Sequence, residues 1–271
     1  MKLKYTLGAI LTIPFLPLMY LQGKRIKASV PKLPEAKGVE GQAIFAKSAK
    51  PNLKMLAIGE STIAGVGVAT HEEGFVGTLA KELAQRLQAQ IDWKVYAQSG
   101  YTVKSITKRI VPQISEREID LIVIGIGGND AFELISPKRW REDSQNLILD
   151  LREKFPNSLM VFCNMPPIKE FPAFTSLIRM TIGNLVEILG EELYELSQDF
   201  EKVHYHKEVI TLSGWMKKHD VKGSTNDFFS DGVHPAKLTY QVWAKDMADE
   251  ICRVEVCQKA LKPWLTNNED G

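Results

Sequence analysis

The stretch LIVIGIGGND, residues 121–130, decides the fold of this chain. Its first six residues are apolar or glycine, which is typical of a strand buried on both faces of a parallel sheet. The glycines and the Asn-Asp pair that follow are residues that end a strand in a turn. Four shorter strand candidates lie at residues 55–58, 93–97, 159–163 and 203–205.

Segments with apolar residues at helical spacing alternate with these strands, at residues 75–90, 103–114, 137–154, 175–200 and 236–259. Such alternation is typical of a parallel sheet with right-handed crossovers and helices on both faces. We therefore predict an α/β fold with about five parallel strands. Its ligand site should lie at the carboxyl edge of the sheet, where the loops leave the strands.

The predicted catalytic domain spans residues 53–260, and a short tail follows at residues 261–271. Residues 28–52 mix Pro, Gly, Lys and Glu without periodicity, which predicts a tether. The apolar run at residues 5–21 has about the minimum length for a membrane-spanning helix. We expect residues 1–27 to be a membrane anchor or an uncleaved signal, since the sequence LQGK at residues 21–24 is a poor cleavage site.

The basic residues that flank the apolar run hardly decide which side of the membrane the catalytic domain faces. Lys2 and Lys4 precede the apolar run, and Lys24, Arg25 and Lys27 follow it closely. By the positive-inside rule this is close to a tie, which leans slightly toward a cytoplasmic catalytic domain.

Composition excludes some partners and cofactors. The 34 Lys and Arg residues balance 33 Asp and Glu residues, so nothing favours a nucleic-acid partner. Three cysteines are too few for a disulfide framework and lack the spacing of a zinc site. His204 and His206 would share a face of a strand, but no acidic third ligand is evident beside them. We therefore predict neither a metal nor another cofactor.

Polar residues follow successive strands at positions that can converge. Glu60 and Ser61 follow the first strand, Gly100 follows the second, Asn129 follows the third, and the sequence DGVH at 231–234 precedes the last helix. Each of these features alone can be explained by a structural role. A serine after a strand, for example, is more often a helix cap than a nucleophile. Their joint occurrence at strand exits favours a shared site.

Together these residues supply the roles that acyl transfer requires. A serine hydroxyl needs a base to become a nucleophile, and the imidazole of His234 is the natural base. Asp231, three residues earlier, can hold one ring nitrogen of His234 so that the other faces Ser61. The backbone N–H groups of Ser61 and Gly100 and the side-chain amide of Asn129 can stabilise the oxyanion.

In this arrangement the chain resembles the SGNH/GDSL hydrolase superfamily over about residues 54–252. The resemblance implies a flavodoxin-like three-layer α/β/α fold and an acyl-enzyme mechanism. It also implies that Ser61 is the nucleophile, that His234 and Asp231 complete the triad, and that Ser61, Gly100 and Asn129 form the oxyanion hole. Position 60 departs from the family pattern, because Glu stands there in place of the usual Asp. This GES-type variant leaves the triad complete and predicts altered loop packing beside the nucleophile.

We predict an ester hydrolase, with a small-molecule, lipid or other envelope-linked ester as its substrate. A polysaccharide O-acetyl esterase or an acyltransferase would use the same site, and a catalytically silent membrane-anchored binding module is the third alternative. Asp130 can orient Asn129 or cap a helix. The apolar loop at residues 165–174 can wall an acyl pocket or pack against the sheet.

Overall fold

The structure is a computed structural model, and it describes residues 2–45 and 50–265. Within these residues six strands form one mixed sheet in the order β1-β3-β2-β4-β5-β6. All neighbouring strands are parallel except β1 and β3, which are antiparallel. The strands are β1 (Glu40–Ala43), β2 (Leu53–Gly59), β3 (Ile91–Ala97), β4 (Leu121–Gly125), β5 (Leu159–Phe162) and β6 (Val203–Tyr205).

Helices cover both faces of the sheet, because successive strand residues alternate between two apolar cores. Leu56 and Ile58 of β2 pack on one side with helices that follow β3, β4 and β5, whereas Met55 and Ala57 pack on the other side. The predicted three-layer α/β/α fold is thus confirmed. The helices of the sheet domain are α3 (Phe75–Leu87), α4 (Val103–Arg109), α5 (Gly128–Phe132), α6 (Pro137–Lys154), α7 (Ser176–Ser197), α8 (Leu212–Lys218), α9 (Lys237–Arg253), α10 (Glu255–Ala260) and α11 (Lys262–Leu265), after the N-terminal α1 (Lys2–Thr12) and α2 (Leu16–Ser29).

The sheet differs from the predicted all-parallel one by its edge strand β1, which lies within the expected tether at residues 28–52. The strand has little apolar content, so no alternating pattern marks it in the sequence. Backbone pairing with β3 holds it instead, and the ring of Trp93 lies against Gly41. A Cβ on Gly41 would lie 2.5 Å from Trp93 Cζ2, so a larger residue would push the edge strand away.

The first and the last helices of the described part of the chain pack against the sheet domain. At the N-terminus, Pro14 cannot donate a backbone hydrogen bond, and a short 3-10 turn at Ile13–Phe15 joins α1 to α2. Among the described residues one helical segment, Tyr5–Ser29, has the length and composition of a membrane anchor or a signal sequence. In the expected C-terminal tail, Trp264 donates from Nε1 to the Pro51 carbonyl at 2.9 Å, and residues 266–271 lie outside the described residues.

A buried ionic network ties the end of β6 to α9. His206 lies just after β6, and its Nε2 is 3.2 Å from Asp246 Oδ2 while its Nδ1 is 3.4 Å from Glu250 Oε1. Burial lowers the pKa of His206, but the hydrogen bonds to Asp246 and Glu250 outweigh burial and raise it to about 9. The imidazolium form of His206 is therefore the form that joins the sheet to the helix.

We predict that the His206 network stabilises the fold in a pH-dependent way. Because the folded pKa of about 9 exceeds the ordinary value of 6.5, the contribution is fully present below pH 6.5 and is lost as pH rises through 9. Urea unfolding of the H206Q variant should show a deficit that shrinks by about 2–3 kcal/mol between pH 7 and pH 10.

The matched control for this prediction is H71Q. His71 is also buried, but burial lowers its pKa, so it is neutral across the same pH range. Its unfolding deficit should be the same at pH 7 and pH 10. A constant deficit for H206Q would contradict the assignment of a protonated His206.

Candidate active site

Three neighbouring strands end side by side and deliver the predicted residues to one edge of the sheet. Gly59 of β2 pairs with Ala97 of β3 and with Gly125 of β4. A Cβ on Gly59 would lie 2.3 Å from the Gly125 carbonyl oxygen, so this close approach of strand ends requires glycine. Ser61 follows β2 and Gly100 follows β3, as the sequence predicts.

The turns that begin at Ser61 pack against the loop that precedes α9. The Ser61 carbonyl accepts a hydrogen bond from Val66 N at 3.1 Å, which folds the segment back on itself. Tyr240 of α9 donates its hydroxyl to the Val66 carbonyl at 2.7 Å. A Cβ on Gly67 would lie 2.5 Å from the Pro235 carbonyl oxygen, so the two loops are in direct contact.

Asp231 and His234 form a directly bonded pair in that second loop. His234 Nδ1 lies 2.8 Å from Asp231 Oδ2, and Asp231 Oδ1 accepts from the backbone N–H groups of Val233 at 2.9 Å and His234 at 2.7 Å. The Asp231 side chain is fully buried, whereas 23% of the His234 side chain is exposed. Burial raises the pKa of Asp231, but the three hydrogen bonds outweigh burial and leave the pKa below its usual range.

This pairing sets the geometry of the histidine. With Nδ1 directed at a carboxylate, the Nε2 atom of His234 is left to act on another group. Within the described part of the chain, the hydroxyl of Ser61 makes no hydrogen bond to His234. The structure therefore places the histidine and aspartate in contact and brings the serine to the same sheet edge.

The three predicted oxyanion donors differ in their partners. Among the described residues, neither the N–H of Ser61 nor that of Gly100 donates a hydrogen bond to the protein. Gly100 has a φ of 81°, a conformation that favours glycine, and a Cβ there would meet nothing within 4 Å, so the space beside its Cα is open. The Asn129 amide is engaged, since Nδ2 donates to Glu60 Oε2 at 2.8 Å and to the Tyr101 carbonyl at 3.1 Å.

Glu60 has a larger role in the site than the altered loop packing that the sequence predicts. Its buried carboxylate accepts from the backbone N–H groups of Gly128 at 2.9 Å and Asn129 at 3.0 Å, besides the Asn129 side chain. Burial raises its pKa to about 7, while these three hydrogen bonds oppose the shift. The only sequence signal for this role is an acidic residue between a buried strand and a candidate nucleophile.

Asp130 caps a helix, which was one of its two predicted roles. Its carboxylate oxygens lie 3.1 and 3.3 Å from the backbone N of Val103, the first residue of α4. The side chain is buried, and burial raises its pKa to about 7. The carboxylate thus holds α4 against the segment that carries Asn129.

A second polar cluster, between the end of β6 and α9, contains possible metal ligands. Atoms of His206, Glu208 and Asp246 lie within 4.8 Å of one another, so His206 has acidic neighbours that the sequence analysis does not predict. The ammonium group of Lys218 contacts Asp246 and lies 3.2 Å from Glu208 Oε2. Because a side-chain cation already neutralises these carboxylates, we treat the cluster as an ion-pair network.

Comparison with solved structures shows the same fold. The chain is 20% identical to the lipase Lip_vut3 from a goat rumen metagenome, with a TM-score of 0.53 over 72% of this chain and 95% of that one. It is 14% identical to a lipolytic G-D-S-L family protein from Veillonella parvula, with a TM-score of 0.55 over 74% and 100%. It is 15% identical to phospholipase A1 from Streptomyces albidoflavus, with a TM-score of 0.52 over 73% and 98%.

Comparison of the sequence itself identifies the family. No curated protein matches the chain. The model of the GDSL-like lipase/acylhydrolase family matches residues 57–242, which is more than half of the chain and includes every residue of the site described above. The chain therefore belongs to the GDSL-like lipase/acylhydrolase family and is a hydrolase that acts on ester bonds.

Proposed function

We propose that the protein hydrolyses a carboxylic ester through an acyl-enzyme intermediate on Ser61. The observation that carries this proposal is the bonded pair of Asp231 and His234, held in a loop that packs against the turns following Ser61. The unbonded N–H groups of Ser61 and Gly100 at the same edge support it.

The first half of the reaction transfers the acyl group to the enzyme. His234 Nε2 removes the proton of the Ser61 hydroxyl as Oγ forms a bond to the ester carbonyl carbon. Asp231 stabilises the imidazolium that results. The tetrahedral intermediate then collapses, the bond to the alcohol oxygen breaks, and His234 returns its proton to the departing alcohol.

The second half regenerates the enzyme with water. His234, which is partly exposed, removes a proton from a water molecule that attacks the acyl carbon. Collapse of the second tetrahedral intermediate breaks the bond to Ser61 Oγ and releases the carboxylic acid. The proton held by His234 goes back to Ser61, so one ester and one water give one acid and one alcohol.

In this mechanism the oxyanion receives hydrogen bonds from the backbone N–H of Ser61, the backbone N–H of Gly100 and the amide of Asn129. The Asn129 amide would exchange its longer hydrogen bond, to the Tyr101 carbonyl, for one to the oxyanion. The shorter bond to Glu60 would stay and hold the amide in place. Glu60 is then a positioning residue, since it acts through Asn129 and does not touch the substrate.

We propose further that Tyr5–Ser29 is a membrane anchor that keeps the enzyme at a cell envelope. This segment is apolar, and only 6% of its most apolar window is buried against the rest of the protein. Large apolar side chains on its outer side are exposed, among them Ile10 and Leu18. Such a surface is stable in a bilayer and unfavourable in water.

The nucleophile is tested by S61A and D231N. We expect S61A to abolish turnover of p-nitrophenyl butyrate and covalent labelling by a fluorophosphonate probe. D231N should lower kcat by about 10³–10⁴, because the imidazole loses its orientation and the partner of its charged form. Undiminished turnover by S61A would refute the proposed nucleophile.

The positioning role of Glu60 is tested by E60Q. A glutamine amide would direct N–H hydrogens at donors that now face a carboxylate, so the Asn129 amide should turn away from the oxyanion. We expect kcat for a short ester to fall about 10- to 100-fold with KM nearly unchanged. E133Q, at an exposed acidic residue just after α5, is the control and should behave as the unmodified enzyme. A change in KM alone would argue against positioning of the oxyanion donor.

The anchor is tested by charge substitutions on its outer side. The full chain should remain in the membrane fraction after a high-salt wash and be released by detergent. The double variant I10E/L18E should move largely to the soluble fraction, since a carboxylate is costly in the hydrocarbon region. The control I44E/V209E changes two exposed apolar residues outside the segment and should leave the protein in the membrane fraction. If I10E/L18E stayed in the membrane fraction while I44E/V209E became soluble, Tyr5–Ser29 would not be the anchor.

A further inference from the structure

An apolar furrow leads from the catalytic histidine along the N-terminal helices. Its first part, a groove of about 850 Å³, lies between α2 and the segments that follow α5 and precede α7. Val233 and His234 line one end of it, and Phe132 and Phe174 form a wall with their rings 5.2 Å apart. The groove has the size of a ligand pocket, which typically measures about 300–1,000 Å³.

A second groove continues the first away from His234. It has a volume of about 470 Å³, lies between α1 and α7, and shares Leu16, Met19, Leu134 and Ile182 with the first groove. The residues of α7 that line the furrow extend from Leu177 to Ile188. At 1.5 Å per helical residue this is a path of about 16 Å along α7 alone.

The lining of this furrow suits a hydrocarbon. Among the described residues no carboxylate lines either groove, and the charged groups are Lys24 and Lys27, both on α2 in the groove that reaches His234. An apolar chain that leaves water for such a lining gains roughly 25 cal/mol for each Å² that it buries. A sugar or a peptide would lose hydrogen bonds to water without replacing them along most of this path.

The helices that wall the furrow are docked on the catalytic domain by specific contacts. Gln22 accepts a hydrogen bond from Thr175 Oγ1 at 2.8 Å, and Met19 is buried. Tyr5 and Ile26 pack against the apolar core on the side of the sheet that α4, α6 and α7 cover. On the opposite side of the same helices, large apolar residues are exposed, Leu21 to 55%. One side of the segment thus faces the furrow, and the other presents an apolar surface to the surroundings.

We infer that this furrow binds the acyl chain of a membrane lipid ester, with the anchor helices as one wall, and that the chain enters it from the bilayer. The inference rests on the proposed function of Ser61, Asp231 and His234, and it adds the substrate class. The carbonyl carbon lies at the His234 end, and the hydrocarbon tail runs between α2 and α7 toward α1. Because the outer side of the helices contacts the bilayer, a lipid chain reaches the furrow without crossing water.

Gly23 of α2 gives a direct way to test the furrow. It lines the first groove, and a Cβ at this position would meet nothing within 4 Å. A side chain at position 23 therefore begins in open space, and a phenylalanine ring there would occupy volume that an acyl chain would use. Leu21 lies two residues away on α2, lines neither groove and is exposed, so L21F is the matched control.

The experiment compares p-nitrophenyl butyrate with p-nitrophenyl palmitate in detergent micelles, using the full chain. For G23F we expect kcat/KM for palmitate to fall at least about tenfold and that for butyrate to fall much less, since the sixteen-carbon chain fills more of the furrow than the four-carbon chain. L21F should leave both values unchanged. An unchanged palmitate value in G23F, or an equal loss with both esters, would overturn the furrow.

S61A separates failure of the furrow from failure of the proposed function. If S61A still hydrolyses butyrate, the proposed nucleophile is wrong. If S61A is inactive and G23F treats both esters like the unmodified enzyme, the nucleophile stands and the furrow is wrong.

Entry from the bilayer is tested with the long ester embedded in phosphatidylcholine vesicles. L21E places a charge on the outer side of α2 without lining the furrow. We expect it to lower hydrolysis of the embedded ester at least about fivefold while leaving butyrate hydrolysis unchanged. Equal rates for L21E and L21F on vesicles would exclude the bilayer as the route of entry.

Discussion

The close approach of β2 and β4 at their carboxyl ends is the constraint on which the site depends. Glu60 N donates to the Gly125 carbonyl at 3.1 Å, so the two strand exits are joined by a hydrogen bond before their loops diverge. The Glu60 side chain then accepts the first N–H groups of α5. A buried carboxylate without such donors would be strongly destabilising, so the loop after β4 must deliver them. One residue thereby couples the turn of Ser61 to the placement of Asn129.

Much of this arrangement follows from the sequence by simple physics. Buried parallel strands require continuous apolar runs, and the runs at residues 55–58 and 121–126 mark β2 and β4 for that reason. The spacing of Asp231 and His234 lets a single turn bring the two side chains together, which the structure bears out. The elements that short stretches of sequence determine are therefore the ones that can be predicted from the sequence.

The elements that the sequence does not predict are those held by residues far away in the chain. Strand β1 is held by backbone pairing to β3 and by Trp93, and neither leaves a periodic pattern in residues 40–43. Helix α5 has five residues, too few to be stable alone, and the carboxylate of Glu60 at its N-terminus satisfies its first N–H groups. The contact of Gln22 with Thr175 joins residues far apart in the chain, so the apolar N-terminal run alone could indicate an anchor but not where it docks.

The environment of His234 reflects two conflicting needs of ester hydrolysis. A desolvated acyl group strengthens the hydrogen bonds that stabilise the oxyanion, and an apolar wall such as that of Phe132 and Phe174 provides this desolvation. Deacylation, however, needs a water molecule at the histidine. The Asp231 side chain is fully buried, and 23% of the His234 side chain remains exposed. The buried carboxylate can therefore hold the imidazole rigidly while the exposed part of the ring stays accessible to water. A wall that covered His234 completely would favour formation of the acyl-enzyme and hinder its hydrolysis.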